Sequence, residues 1–589
     1  MILKPLRSKT SDRNQVSRIK SLPAPTKGWY VGENLAAPPE KTAYLLDNGF
    51  PQLDYVRARR GSQAWATGMP ATLVESLMPF DNAATSRMFA ACGTAIYDVS
   101  NTGAVGAAVV TGLTSAQFQF VQFTGLGGSY LVAVNGSDSV QRFDGTAWNR
   151  TYVFTGNTTS GSANVASVSS TAGLVAGQTV SGSGIPDATT ILSVGTGTIT
   201  LSANATATAS GVTITAYQSA PITTGTSAIF SNVYTFKSRL YFVEKNSLNI
   251  WYLPVNAIGG AATLFPMQGI FRRGGYIVAC GDWSIDSTSG IYNGFVVVSS
   301  QGEVVLYNGT DPGSWVLTGI YHISNPLGAR CMMKAGGDLA IATEDGIVPM
   351  SKVQTLDQVA LENVAITQPI APAWRIAVDE RMNLPGWQLT AWPRESMGII
   401  NLPKKDIGDR TQFIVNTRTG AWCRYTGWDA NCFAVFGDLL FYGTSDGRVM
   451  QAEVGAADDG ANYTWTVFPS FDGFDGQPTR KQALQVRPFI QSSFAFTPTV
   501  TVNVDFDTTV PPAPSSVAAP STGALWDSAK WDQDEWPADL TPFAYWQTVT
   551  AYGQILSPIV QATFSTASTT PDVRLTQIDV LYEGGNIMG

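Results

Sequence analysis

The chain has 589 residues, of which 44 % are apolar and only 14 % charged, where about 25 % charge is usual for a soluble domain. Few charges at ordinary hydrophobicity exclude a disordered chain and point to a surface of Ser, Thr, Asn, Gln and Gly, part of it covered in an assembly. The net charge of −8 excludes a protein that grips nucleic acid by counterion release, which takes clustered Lys and Arg, but not an acidic wall past which DNA slides.

The opening, MILKPLRSKTSDRNQ, turns polar before the apolar core of a signal peptide could form, so no export signal is expected. Up to about residue 27 the chain carries Lys4, Arg7, Lys9, Arg13, Arg18, Lys20 and Lys27 against one acid, Asp12, with no apolar period. That predicts an extended basic arm, read as a disordered tail, a segment docking on a neighbouring subunit or adaptor, or a DNA contact. In YVRARRGSQAW, Arg57, Arg59 and Arg60 crowd before Gly61. Within an acidic chain this cluster reads as an interface salt-bridge hub rather than a phosphate grip.

The middle of the chain repeats one theme, an alternating apolar run, a polar turn and a second alternating run. It occurs at Arg87 to Val99, Ser129 to Phe143, Arg239 to Leu253, Gly294 to Tyr307, Asp338 to Met350 and Asp438 to Ala452. Period-2 alternation turns one set of side chains inward, and turns such as Glu344-Asp345-Gly346 and Ser445-Asp446-Gly447 supply hairpin conformations. Abundant Gly, Pro and aromatics agree with many short strands. Six such units predict a mainly β fold, a β-propeller of about six blades, spanning 61–153 plus 218–455. A pair of packed β-sandwiches is the structural rival.

Residues 154–217 interrupt the theme. They are nearly free of charge and aromatics, with short Val/Ile/Thr runs between Gly and Ser turns, which predicts a small inserted β domain. Lys352 to Val364 places Val353, Leu356, Ala360 and Val364 on one helical face, and Pro369 and Pro372 are expected to stop that helix. After about Gly455 the rhythm fades; two strands within Leu484–Asp507 and two more near Gln561 and Val573–Tyr582 predict a separate C-terminal β domain over 456–589. Residues 1–60 are read as the arm and first strands.

Nothing in this text points to chemistry. The one histidine, His322, ends an apolar run, and no HExxH, CxxC, phosphate loop or dinucleotide fingerprint is present, so no catalytic, cofactor or metal residue is nominated. Asp144, Asp311, Asp345 and Asp446 are turn acids whose turn role accounts for them. The five cysteines are widely spaced and odd in number, as expected of free thiols in a reducing cytoplasm. No apolar run approaches the roughly 18–20 residues that cross a bilayer. Trp526, Trp531 and Trp536 fit neither helical nor strand spacing; they read as anchors of a loop, as a subunit or partner contact, or as a glycan-stacking platform.

Three stretches, RRGSQAWATGMPATLVESLMPFDNAATSRMFAACGTAIYDVS, QFQFVQFTGLGGSYLVAVNGSDSVQRFDGTAW and RPFIQSSFAFTPTVTVNVDFD with DVRLTQIDVLYEGG, resemble tail nozzle proteins of short-tailed bacteriophages, also called packaged-DNA stabilisation or tail tubular proteins. The resemblance lies in pattern and order over most of the chain outside 154–217. It implies a structural virion protein, made in the host cytoplasm, in a six-fold homo-oligomeric ring. Adaptor proteins would sit above it and tip, spike or fibre proteins below, with double-stranded DNA passing without sequence-specific binding. It implies no catalytic residues. The alternatives are a receptor- or glycan-binding tail protein on the same scaffold and, third, a propeller glycosidase.

Overall fold

Alternating apolar runs joined by turn residues can pair locally, and here they do. All six predicted units are antiparallel hairpins. The computed structural model describes residues 17–517 and 540–587, apart from 33–34, 126–127, 150, 175, 188, 218–221, 223–228, 288–289, 407, 475–478, 495–496, 567 and 569. Over these residues the protein is mainly β, divided among many sheets of modest size.

Among the described residues seven sheets, antiparallel over the strands that follow, succeed one another along the middle of the chain. Sheet A contains Val74–Asp81, Ser86–Cys92, Ala95–Asp98 and Val110–Thr111; sheet B contains Gln119–Gly125, Gly128–Val134 and Gln141–Phe143. Sheet C runs through Phe230–Phe236, Arg239–Glu244, Asn249–Tyr252 and Thr263–Pro266, and sheet D through Ile277–Ser287, Gly290–Ser299, Glu303–Asn308 and Val316–His322. Sheet E holds Met332–Ala335, Asp338–Thr343 and Gly346–Pro349. Sheet F begins with Gln388–Trp392, Met397–Asn401, Thr411–Asn416 and Trp422–Thr426; sheet G has Cys432–Phe436, Leu439–Gly443 and Val449–Ala452. Each packs on the next, and sheet G packs back on sheet A, so the order of neighbours is cyclic. Sheet F lies outside the six hairpins anticipated from sequence.

Strand alternation explains this packing. In sheet B, Leu131 and Ala133 join a cluster with Phe80, Phe89 and Phe118, while Val132 and Val134 join the opposite cluster with Phe230 and Phe242. In sheet D, Phe295 and Val297 face Phe236 and Tyr241, and Val296 and Val298 face the large central core. Both faces of these strands are therefore covered, which is why FVVV can be apolar at every position. A fully buried Val, Leu or Phe side chain contributes about 1.5–3 kcal/mol, so these facing rows hold the cycle together.

Thr151–Thr158, Thr179–Gly182 and Ala209–Tyr217 form one sheet, and Asn164–Val165, Ile191–Gly195 and Thr198–Leu201 a second. Between them Phe154, Val180, Ile199 and Ile214 make a core of their own.

The two chain ends fold together. Ser17–Pro23 pairs along Val573–Ile587, which also pairs with Thr479–Ser492. Sheet F continues through Ala43–Asp47 into Tyr463–Pro469, Leu556–Phe564 and Thr499–Val504. Strands expected to stand apart after Gly455 thus share sheets with residues 17–58 and with sheet F.

The helix expected over Lys352–Val364 is broken into Met350–Val353, Gln358–Leu361 and a tighter turn at Glu362–Val364. The longest helix among the described residues is instead Ala371–Arg381, with Pro372 in its first turn. Proline lacks only an N–H that the first turn leaves unpaired anyway, so it starts this helix instead of blocking it.

Candidate functional site

Two features organise the cycle, a clasp that joins its ends and a polar seam that laces its sheets. The clasp is Ser62–Thr67, an early strand that pairs antiparallel with Val449–Ala452 and completes sheet G, with Ser62 opposite Ala452 and Ala66 opposite Val449. The Tyr442 hydroxyl donates to Ser62 Oγ at 2.7 Å. Backbone pairing between residues so distant in sequence closes a long loop, and the closure entropy is met by ladder bonds and by Ala66, buried in one apolar cluster with Val74 and Phe441.

Beside the clasp lies Arg59, which has no exposed surface. Its Nε donates to Asn48 Oδ1 at 2.7 Å, Nη1 to Arg60 O and Asp458 Oδ1, both at 2.8 Å, and Nη2 to Thr426 O at 2.7 Å and Asp458 Oδ2 at 2.5 Å. All five guanidinium N–H groups are used. The Tyr463 ring lies 3.9 Å from its Cζ, and the Tyr463 hydroxyl donates to Arg59 O. Burial alone would lower its pKa; the Asp458 carboxylate outweighs that and raises it. Arg57 lies between Glu395 at 3.3 Å and Glu453 at 3.5 Å. Burial pushes the Glu453 carboxyl above its usual range although Arg57, the Arg60 N–H and Arg59 oppose it.

The seam centres on Arg330, just before sheet E. Its Nη2 donates to Ser76 Oγ and to Phe118 O, both at 2.7 Å, and its Nη1 to Glu75 O at 3.2 Å and Gln388 Oε1 at 3.4 Å. One side chain therefore bonds to sheet A, to the entrance of sheet B and to sheet F. Gln388 Nε2 passes the link on to Phe433 O of sheet G at 2.8 Å. Elsewhere in the cycle, Lys334 Nζ reaches Asp282 Oδ2 at 3.0 Å, Asn232 Nδ2 reaches Val278 O at 3.3 Å, and Gly136 N reaches Phe230 O at 2.7 Å. Val74 N donates to Thr444 O at 3.0 Å and joins sheets A and G.

A cleft of about 60 Å³ opens next to Arg330, walled by Glu75, Gln117, Asn401, Lys404 and Asn431 among others. Burial raises the Glu75 carboxyl above its ordinary value, with the Ala116 N–H and Arg330 opposing. Lys404 is engaged by Asp429 and by Ser445 Oγ.

The residues nominated from sequence fall into three groups. Lys4, Arg7, Lys9, Arg13, Trp526, Trp531 and Trp536 lie outside the described residues. Arg18 and Lys20 are on Ser17–Pro23, and Lys20 Nζ lies 3.8 Å from Asp472 Oδ2 at the surface. Of Arg57, Arg59 and Arg60, Arg59 is wholly inside the chain and paired with Asp458, Arg57 pairs with Glu395 and Glu453 of the same chain, and Arg60 gives Glu453 Oε2 only its backbone N–H, at 3.2 Å. A guanidinium with every N–H committed internally has none to give a subunit or adaptor, so the interface role assigned to Arg59 is corrected. Asp458 and Arg330 were not nominated, because an isolated acid and an isolated arginine carry no local pattern.

The turn acids cap their own loops: Asp144 accepts from Thr146 N and Ala147 N at 2.8 Å, and Asp311 from Gly313 N at 2.9 Å. His322 Nε2 lies 3.8 Å from Glu303, a buried carboxylate that holds the Arg272 and Arg273 backbone N–H groups. Among the described residues no His, Cys, Asp and Glu side chains group as metal ligands, and no helix is long and apolar enough to cross a membrane.

No family model matches the chain, and no curated protein matches it. Among solved structures it is similar to the crystal structure of BBS1N in complex with ARL6DN, soaked with lead, at 12 % identity over 49 % of this chain and 96 % of that one. The TM-score is 0.19, and the likeness carries no argument.

Proposed function

We propose that the chain is a non-enzymatic subunit of a short-tailed phage tail nozzle, built on a seven-bladed β-propeller, and that several copies form a ring around the DNA exit channel. The observation that carries the propeller is the cyclic order of sheets A to G closed by Ser62–Thr67 on Val449–Ala452. Such a closure hides sheet edges and gives a stiff disc, as a part under load from packaged DNA requires. The seventh blade is sheet F, added to the six read from sequence.

Arg330 ties sheets A, B and F together across the seam, so the bore for a duplex lies between copies and not through one propeller. The layer formed by the two chain ends supports this division, because Ser17–Pro23 is its outer strand and leads directly into the basic arm. An arm on a sheet edge is a natural reach to a neighbouring subunit or adaptor. The acidic balance of the chain suits a wall that DNA must pass without sticking.

Electron microscopy of the purified chain and of virions tests this reading. A six-fold ring on the tail axis is expected. A monomer or a trimer placed away from that axis overturns it.

A further inference from the structure

One helical face of the chain is covered by nothing among the described residues. Ala371–Arg381 buries Trp374, Ala377 and Val378 and turns Ile376, 61 % exposed, outward; Met382, 41 % exposed, follows directly. Residues three and four apart share a helix face, so Arg375, Asp379 and Met382 form one outward row with Ile376 and Glu380 beside it. Arg375 Nη2 is ion-paired with Glu362 Oε1, which fastens the turn Glu362–Val364 alongside this row. Val359, 89 % exposed, stands one helical turn before Glu362. Val359 and Ile376 therefore flank the Glu362–Arg375 pair as two aliphatic projections.

The charge around them is acidic. From Asp338 to Arg381 the chain carries seven acids against three bases. The cations here are already taken: Arg375 by Glu362, Lys405 by Glu380, and Arg381 by Glu380 and Asp409. Asp357 and Asp379 stay exposed without an ion-pair partner among the described residues. A partner for this face therefore brings cations and some apolar surface. Residues 1–16, which lie outside the described residues, carry Lys4, Arg7, Lys9 and Arg13 against Asp12, with Ile2, Leu3 and Leu6 among them. Where they join the fold points to another copy. Ser17 begins the outer strand, and it is the Pro23 end of that strand that leads on to Val31, whose N–H donates to Pro369 O just before the exposed helix. The arm continues the strand in the other direction, and sixteen residues span at most about 55 Å.

We infer that residues 1–16 of one copy dock on the helical face around Val359 and Ile376 of a neighbouring copy. The arm's cations meet the acidic surround, and its aliphatic residues cover the two projections. The contact rests on the ring reading, since it needs a neighbour, and it would link each copy to the next.

The test is zero-length carbodiimide coupling, which joins lysine amines to carboxylates, on the full chain prepared as a mixture of copies with light and heavy nitrogen. Mass spectrometry should find Lys4 or Lys9 of one copy joined to Asp357, Glu362, Asp379 or Glu380 of another. Ile376→Ser, at an exposed position where the melting temperature is kept, should lower that yield about threefold to tenfold, the worth of partial burial of an aliphatic side chain. Links undiminished in Ile376→Ser overturn the inference. So do arm lysines that couple elsewhere in the ring, only within their own copy, to nothing, or in virions to an adaptor protein instead; in each case the ring itself stands. Mass photometry of the same sample reads the ring. A chain that stays monomeric overturns the ring reading and this contact with it.

Discussion

Arg59 and Asp458 are 399 residues apart in the chain and meet as a buried two-point pair, Nη1 to Oδ1 at 2.8 Å and Nη2 to Oδ2 at 2.5 Å. The pair sits where the chain enters the cycle of sheets and where it leaves it. Asn48 completes the joint by accepting from Arg59 Nε and from Thr426 N, so one amide oxygen positions the arginine and the end of the strand Trp422–Thr426 together.

Removing either partner strands a buried charge, which typically costs about 3–5 kcal/mol. Arg59→Met and Asp458→Asn are each expected to lower the urea midpoint strongly, and the double variant by clearly less than the sum. Additive losses in such a cycle would mean that the two residues act separately.

Ala66→Pro removes an N–H from the closing strand and restricts its backbone, at a cost of roughly 1–3 kcal/mol. Hydrogen exchange should quicken along Val449–Ala452 and along the facing strand of sheet A, while sheets C and D keep their protection. Uniform loss across all sheets would show that the clasp is not a distinct joint.

Arg330→Met keeps the bulk of the side chain but takes the charged donor from the Phe118 carbonyl and the Ser76 hydroxyl, leaving them only their mutual bonds, Ser76 Oγ to Phe118 O at 3.3 Å and Phe118 N to Ser76 Oγ at 2.8 Å. About 3 kcal/mol of destabilisation is expected, read by calorimetry. Arg330→Lys should recover little of it, because one ammonium cannot span acceptors on three sheets.

Acid should weaken the fold through Asp138 and Asp579. Burial alone would raise both carboxyls, but hydrogen bonds outweigh it and hold them below their ordinary value. The donors are Asn135 and the Thr114 and Ser115 N–H groups at Asp138, and Arg487, Ser21 and Gln577 at Asp579. A folded-state pKa below the unfolded value of about 3.9 gives stability that is complete above that value and fades as pH falls through it. Glu453, raised by burial, has the opposite sign and gains as pH falls through its own value. Urea unfolding at about pH 6 and about pH 3 should therefore show a drop that Asp138→Asn and Asp579→Asn each reduce. An unchanged drop in both variants would assign the acid response to other groups.

The hairpins were legible in sequence because their information is local. Ser445-Asp446-Gly447 shows how: Gly447 has φ +79°, and a Cβ there would lie 1.9 Å from Pro70 O, so only glycine turns this corner. Sheet F was missed because its first turn runs through Pro393–Glu395 and a left-handed Ser396, without an Asp-Gly or Asn-Gly pair. The helix was misplaced for a related reason. The periodic face of Lys352–Val364 ignores Val359, which is 89 % exposed, whereas Trp374, Ala377 and Val378 of the next segment are the residues that reach the core. The crowding of arginines was legible, but the partners of Arg57 and Arg59 were not, since Asp458 and Glu453 are identified only by where the chain returns.

By itself the sequence determined strand content, six hairpins, their turns and the charge-poor insert, because alternation and turn chemistry act over a few residues. Tertiary structure alone decided that the sheets follow in a cycle, that residue 62 closes what residue 452 leaves open, that both chain ends share one layer, and that Arg330 joins three sheets. Those outcomes depend on pairings between residues tens to hundreds of positions apart, for which neighbouring side chains carry no signal.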